Sequence, residues 1–332
     1  MPPESFLFLN DNPAALASIP SGLNHINYSR FRNLESDTPF RSSFSIKFVV
    51  KGEETYFIGS KKYEVAGSQY LVVSPHTNGR VLIRTKDYTE GLCIDLKPEL
   101  IRQVLHSYKA PGEIDTRFNK SEVEEFLLGK MFMENTYNTS NTALGAVLTK
   151  ITTQGIPFSE QLDICDEMFY QLAEALILDQ QLVYTYYQSI AVMKSTTKKE
   201  LLRRMLFARD YIDENFQKKF SCNELSKLIT LSEFHFFRMF RAVFGLSPRQ
   251  YIIQKRLEYA KHAICTEDLP VTDIAVATGF SDLQTFSKAF RKYFGYPPSA
   301  LRLSKKQDLT TVGYYPALNL GLEQKKDLSN WF

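Results

Sequence analysis

Four cysteines in 332 residues, none of them in a CxxC pair, are too few and too scattered for a disulfide framework or a zinc cluster. Cys93, Cys165, Cys222 and Cys265 are therefore expected to be reduced, inert thiols. No apolar run approaches the length of a membrane span, and the opening MPPESFLFLNDNP has no basic segment followed by a long apolar one. Neither a membrane anchor nor a leader is expected, and the cytoplasm is the expected compartment. Missing too are the close histidine pair, glutamate and third histidine of metal-binding β-barrels, any nucleophile with a base at a telling spacing, and a phosphate-cradling loop. His76 stands alone at a turn and reads as a loop residue, with His25 and His106 outside the strand region. No metal, cofactor or catalytic residue is expected, and the chain does not read as an enzyme.

What is present is divided unevenly. Residues 194–306 hold 21 Lys and Arg against 11 Asp and Glu, whereas residues 1–193 hold 17 against 23. A basic segment joined to an acidic one fits a polyanion-binding module with a separate partner, although a Lys-rich solvated helix face would look the same. Between 44 and 96, short β-branched and aromatic runs (44–50, 55–58, 62–65, 70–73, 81–84, 91–95) alternate with turn residues. That spacing predicts an antiparallel sandwich or small barrel. From about Lys97 the period turns helical, and in 160–192 Leu162, Cys165, Met168, Phe169, Leu172, Leu176 and Leu182 recur every three or four residues.

The C-terminal third repeats itself. SEFHFFRMFRAVFGLSPRQYI (232–252) and DLQTFSKAFRKYFGYPPSALR (282–302) align through Phe236/Phe286, Arg238/Lys288, Phe240/Phe290, Arg241/Arg291, Phe244/Phe294, Gly245/Gly295 and Pro248/Pro298. Two copies are too few for a solenoid and fit paired modules. In the first, Ser221-Cys-Asn-Glu224 has the form of a capping box opening a short helix to Ile229, a tight turn follows, and a longer helix runs to Phe244, stopped by Gly245. Ser247-Pro248 restarts a helix to 266. The order then recurs: a short helix at 271–278, a turn at Gly279-Phe280 and a long helix at 282–294. Short helix, turn, longer helix is the helix-turn-helix order, whose second helix enters the DNA major groove.

Helical period separates the faces of each long helix. Phe286, Ala289, Phe290 and Tyr293 fall on a packing face, and Leu283, Gln284, Ser287, Lys288 and Arg291 on the outer one. Gln pairs with adenine, Lys reaches guanine or phosphate, and Leu meets a thymine methyl. The matching outer face of the first copy is Glu233, Phe234, Phe237, Arg238 and Arg241, with Arg238 the candidate for guanine. Of the two aromatics there, one is expected to cap the core and the other, Phe234 in preference, to meet DNA.

Asp273-Ile-Ala-Val-Ala-Thr-Gly-Phe-Ser281 and Phe286-x3-Phe-Arg-Lys-Tyr-Phe-Gly-Tyr-Pro-Pro298 resemble the AraC/XylS family of bacterial transcription regulators over about 198–303. The resemblance implies seven helices carrying two helix-turn-helix units, a rigid linker helix between them, and a turn one residue longer in the second. The chain departs from the pattern at Ser226, where the second copy has Ala275, and in the apolar outer face of the first recognition helix. More loosely, Tyr63-Glu-Val-Ala-Gly-Ser-Gln-Tyr-Leu-Val-Val-Ser-Pro75 is similar to the cupin-like sensor domains of that family. There the barrel binds an effector and following helices dimerise, which makes 160–192 a candidate dimer helix, with core packing the alternative.

The resulting expectation is an α+β multidomain chain. Its parts are a cupin-like antiparallel β-barrel sensor at 1–135, a helical dimerisation or linker region at 136–193, an all-α domain at 194–306 with motifs at 221–244 and 271–294, and a tail at 307–332. Double-stranded DNA, RNA polymerase, a small-molecule effector and a second copy in a homodimer are the expected partners. Lys47, Tyr70 and Arg84 are candidates to line an effector pocket, the barrel's solvated outside being the alternative. A regulator answering to a protein partner, and a barrel enzyme or ligand-binding protein with an accessory helical domain, stay open as other readings.

Overall fold

The computed structural model describes residues 6–19, 22–39, 43–75, 77–107, 120–129, 131–153, 166–218 and 220–305. His76, Cys165, Leu162 and the tail 307–332 lie outside them. Packing divides the chain into two compact units, 1–185 and 186–332.

Among the described residues the first unit is built on eight strands: β1 (Phe6–Asn10), β2 (His25–Pro39), β3 (Phe44–Lys51), β4 (Glu53–Ile58), β5 (Lys61–Ala66), β6 (Gln69–Val73), β7 (Asn78–Leu96) and β8 (Asn135–Asn138). They hydrogen-bond in the order β1-β2-β7-β3-β6-β8, with β4 paired to β5 and β7. The expected all-antiparallel barrel is corrected in two respects: β1 joins β2 in parallel, so the sheet is mixed, and no pairing among the described residues closes it into a ring. The runs 81–84 and 91–95, expected as two strands, are one. β7 pairs with β4 through 79–82 and with β3 through 90–96. Its register against β2 shifts between Phe31 and Asn33, so a bulge separates the two halves. A bulge bends and twists a strand, which lets one long strand serve two partners.

Alternation of side chains gives this sheet two apolar faces. On one, Val49, Leu71, Val73, Tyr56, Val65, Phe31 and Ile83 form a single buried cluster. On the other, Phe44 and Tyr70 meet Phe132 and Tyr137 at ring separations of 5.5 and 5.4 Å. Helices α1 (Pro98–Ser107), α2 (Lys120–Leu128), α3 (Ala143–Thr153) and α4 (Asp166–Ser189) follow. The Asp179 carboxylate of α4 accepts from the amides of Ala143 and Leu144 at 2.8 and 2.9 Å, capping α3 where a helix leaves its first N–H groups unpaired. On α4, Phe169, Leu172, Ala173, Leu176 and Ile177 are buried within the chain. Of the stripe that made this segment a dimer-helix candidate, Phe169, Leu172 and Leu176 are buried and Met168 and Leu182 half-buried, while Leu162 and Cys165 lie outside the described residues.

Among the described residues the second unit holds the end of α4 and seven helices: α5 (Ser195–Asn215), α6 (Cys222–Leu228), α7 (Glu233–Phe244), α8 (Pro248–Thr266), α9 (Val271–Ala277), α10 (Leu283–Phe294) and α11 (Pro298–Lys305). Local chemistry sets their limits. Ser221 and Glu224 complete a capping box on α6, and Ser247 and Gln250 another on α8, which also begins with Pro248. Gly245 and Gly295 end α7 and α10 at φ 77° and 88°, a conformation that costs glycine nothing. Burial then joins the pieces: Phe236, Phe240, Phe286 and Phe290 are all fully inaccessible. A buried Phe contributes about 1.5–3 kcal/mol, so each long helix is anchored by two large increments.

Candidate nucleic-acid interface

Each long helix begins on a side-chain cap and turns its aromatic pair inward. In α7, Ser232 Oγ accepts from the His235 amide, and in α10, Asp282 Oδ1 accepts from the Thr285 amide at 2.7 Å. Hydrogen bonds from the Thr285 amide and hydroxyl, and from Ser281, hold the Asp282 carboxyl down at about 2. Its charge sits at the N-terminal end of α10, where the helix dipole favours an anion.

The face left outside α10 carries Leu283, Gln284, Lys288 and Arg291 exposed and Ser287 half-buried. On its inner side Phe286 and Phe290 are buried among Leu257, Ala260, Ile264, Ile274 and Ala275, with Ala289 and Tyr293 packed against them. All five sequence-designated positions of this helix therefore lie away from the core. In α7, Phe234, Arg238 and Arg241 are exposed, and Phe237 is half-buried with its ring edge-on to Phe236 at 6.1 Å. Phe234 is 76% exposed, and the Arg238 guanidinium lies 5.8 Å from its ring centroid. The two aromatics thus divide: Phe237 leans on the core and Phe234 stands in solvent.

Beneath α7 sits a charged support. Arg209 pairs with Asp210 at 2.7 Å, and Asp213 accepts from the Tyr251 hydroxyl at 3.0 Å and pairs with Lys255 at 3.1 Å. Tyr186 packs edge-on to Phe244 at 5.0 Å. Removing one member would leave another charge buried without its partner, a large cost. The sequence reading did not find this network, because its members are spread over α5 and α8 with no motif spacing.

Residues 225–304 match a helix-turn-helix domain family. The chain carries a helix-turn-helix domain. It is similar to a probable transcriptional regulator, LumQ, of Photobacterium leiognathi, 35% identical over 109 residues that make up 33% of this chain and 44% of that protein. It is similar also to the Msm operon regulatory protein of Streptococcus mutans, 33% identical over 27% of this chain and 33% of that protein. The chain thus spans less than half the length of either relative. Among solved structures, an AraC-type regulator from Chromobacterium violaceum is 23% identical over 31% of this chain and 93% of that one, with a TM-score of 0.30. A score that low carries no argument, and the helix-turn-helix domain rests on its sequence match and on its own geometry.

The three effector-pocket candidates do not come together. Lys47 stands opposite Cys93 and Leu71, and Tyr70 opposite Phe48 and Tyr137, so neighbouring rows place the two on opposite faces of the sheet. Tyr70 donates to Asp179 at 3.3 Å under the helices. Arg84 is a surface residue: its side chain is 72% exposed and pairs with Glu35 at 3.2 Å, because the adjacent Ile83 takes the inward position.

Lys47 alone faces the buried cluster, within a polar group the sequence did not reveal. Its ammonium lies 2.6 Å from Cys93 Sγ; Ser45 donates to Asp95 and Tyr56 to Glu54 nearby. Burial pulls the Lys47 ammonium down, but Cys93, Asp95 and Glu54 outweigh it and hold the group charged. Burial pushes the Glu54 carboxyl and the Cys93 thiol up. His25, expected outside the strands, opens β2 and is buried, with Nε2 2.7 Å from Asn27 Oδ1. Register alone could have signalled the group, since every member is polar at an inward position, but register needs the pairing partner.

Proposed function

We propose that the chain is a sequence-specific DNA-binding transcription regulator, with α7 and α10 in adjacent major grooves, rather than an enzyme. One observation carries this reading: two capped helices, each preceded by a short helix and a tight turn, each turn a buried Phe pair inward and an exposed row of base-reading residue types outward. The names of the similar proteins support it. Arg238, Gln284 and Lys288 are the proposed readers of bases; Arg241 and Arg291 hold phosphates; Phe234, Leu283 and Ser287 supply contacts to base edges and methyls, and Phe237 backs Phe234. The second motif is the surer reader, since its outer face holds more polar types.

Control is assigned to the first unit, where an effector would exchange contacts with the buried Lys47 group. The regulator acts in the cytoplasm, as a homodimer, on RNA polymerase at its promoters. Selection of bound fragments from random duplex DNA tests the core of this reading. A recovered motif, with affinity that falls steeply as salt rises because each neutralised phosphate releases counterions, is the expected result. Binding indifferent to both sequence and salt would sink it. Thermal-shift screening of the full chain with small organic anions and neutral metabolites addresses the effector, a shift lost in Lys47→Met being expected.

A further inference from the structure

The doubled pattern reaches back beyond the paired helices. Arg204-Met-Leu-Phe-Ala208 in α5 and Arg256-Leu-Glu-Tyr-Ala260 in α8 share an arginine followed by a buried apolar residue and a buried alanine. Each arginine grips the turn of its own motif. Arg204 Nη1 donates to the Thr230 carbonyl at 3.2 Å, and Arg256 Nη1 to the Gly279 carbonyl at 2.8 Å. Both acceptors belong to the positive-φ residue of the turn, at 56° and 84°.

Arg256 goes further than its counterpart. Its Nε donates to the Phe216 carbonyl at 2.7 Å and its Nη2 to the Lys218 carbonyl at 3.1 Å. Phe216 is the C-terminal cap of α5, which supports the first motif, while Gly279 follows α9 of the second. Helix C-termini leave carbonyls unpaired and carry partial negative charge, so a cation is favoured at each. A planar guanidinium with five donors satisfies both ends at once, whereas an ammonium on a flexible stem cannot hold three acceptors in that fork. The cradle is close: a Cβ on Gly279 would lie 2.8 Å from the guanidinium and from the Gln217 carbonyl.

We propose that Arg256 is a positioning residue that sets the separation of the two recognition helices, and so the number of base pairs between the two words they read. The proposal rests on the DNA-reading function above. Nothing on the first unit enters it, because all the bonded groups lie within 186–332.

The test uses the full chain and a duplex series in which the two halves of a selected site are moved apart one base pair at a time. The native chain should prefer one spacing. Arg256→Lys should flatten that preference by about tenfold while leaving affinity for a duplex with one half intact nearly unchanged. Arg204→Lys, whose bond stays inside one motif, should keep the native profile. Gly279→Ala leaves the arginine in place but crowds its guanidinium, so it should flatten the profile as Arg256→Lys does, and either folded variant suffices. A folded Arg256→Lys or Gly279→Ala protein with the native spacing profile overturns the proposal. A native chain with no preference for sequence or spacing overturns instead the DNA reading on which it stands.

Discussion

The two helix-turn-helix motifs are built on one plan and differ wherever they meet solvent. Inward, Phe236 and Phe240 in the first match Phe286 and Phe290 in the second, all fully buried. Outward, α7 shows Phe234 and Arg238 where α10 shows Gln284 and Lys288. The turn of the first is made by Thr230 at positive φ and that of the second by Gly279, one residue longer between helices. The cap of α7 is a serine and that of α10 an aspartate. Packing tolerates few solutions to the same three-helix problem, so the core repeats. A surface is free to diverge, and under the proposed function two surfaces that read different words must.

The sharpest way to break this comparison is through the shared core. Phe240→Ala and Phe290→Ala should each cost about 3–5 kcal/mol, measured by urea unfolding. A loss under 1 kcal/mol at one site would mean the two cores are not equivalent. Next in size are the outer faces. Arg238→Ala and Gln284→Ala should each lose about 1–3 kcal/mol of discrimination at separate base positions. If competition binding against a panel of point-changed sites shows uniform weakening, those side chains hold only the backbone.

The turns should respond with opposite signs. Thr230→Gly relieves a β-branched residue at positive φ and should raise stability by about 0.5–1 kcal/mol, the relief exceeding the added chain entropy. Gly279→Ala should lower stability instead, since it imposes the strain and crowds Arg256. Equal signs in thermal melts would contradict the turn geometry. The smallest effect concerns the caps. Asp282 is held down at about 2, below the ordinary carboxylate range, so its stabilisation is complete above that range and is lost as pH falls through about 2. Amide exchange at Thr285 should accelerate across that window, while His235, capped by the non-titrating Ser232, should change less.

Legibility followed the range of the interactions. The limits of α6 to α10 could be read to within a residue or two, because caps, glycine stops and Phe spacing are local. The strands β3 to β6 were legible for the same reason. β2 was not: His25–Pro39 carries polar residues at many positions and holds its place by pairing with β7 rather than by its own pattern. The short β1 and β8 likewise depend on partners. Of the outer-face candidates, Phe237 and Ser287 are half-buried, Phe237 lying edge-on to Phe236 as expected of the aromatic that caps the core. Arg84 could not be placed without knowing that Ile83 points inward.

The sequence by itself determined a doubled helical module, the faces of its two long helices and the residue types on their outer sides, since these depend on period, caps and composition within a dozen residues. Only the tertiary structure decided which polar groups are buried together and which carbonyls Arg256 holds. Lys47, Cys93 and Asp95, or Arg256, Phe216 and Gly279, are joined by strand register and helix packing, and those come from the cooperative burial of the whole unit.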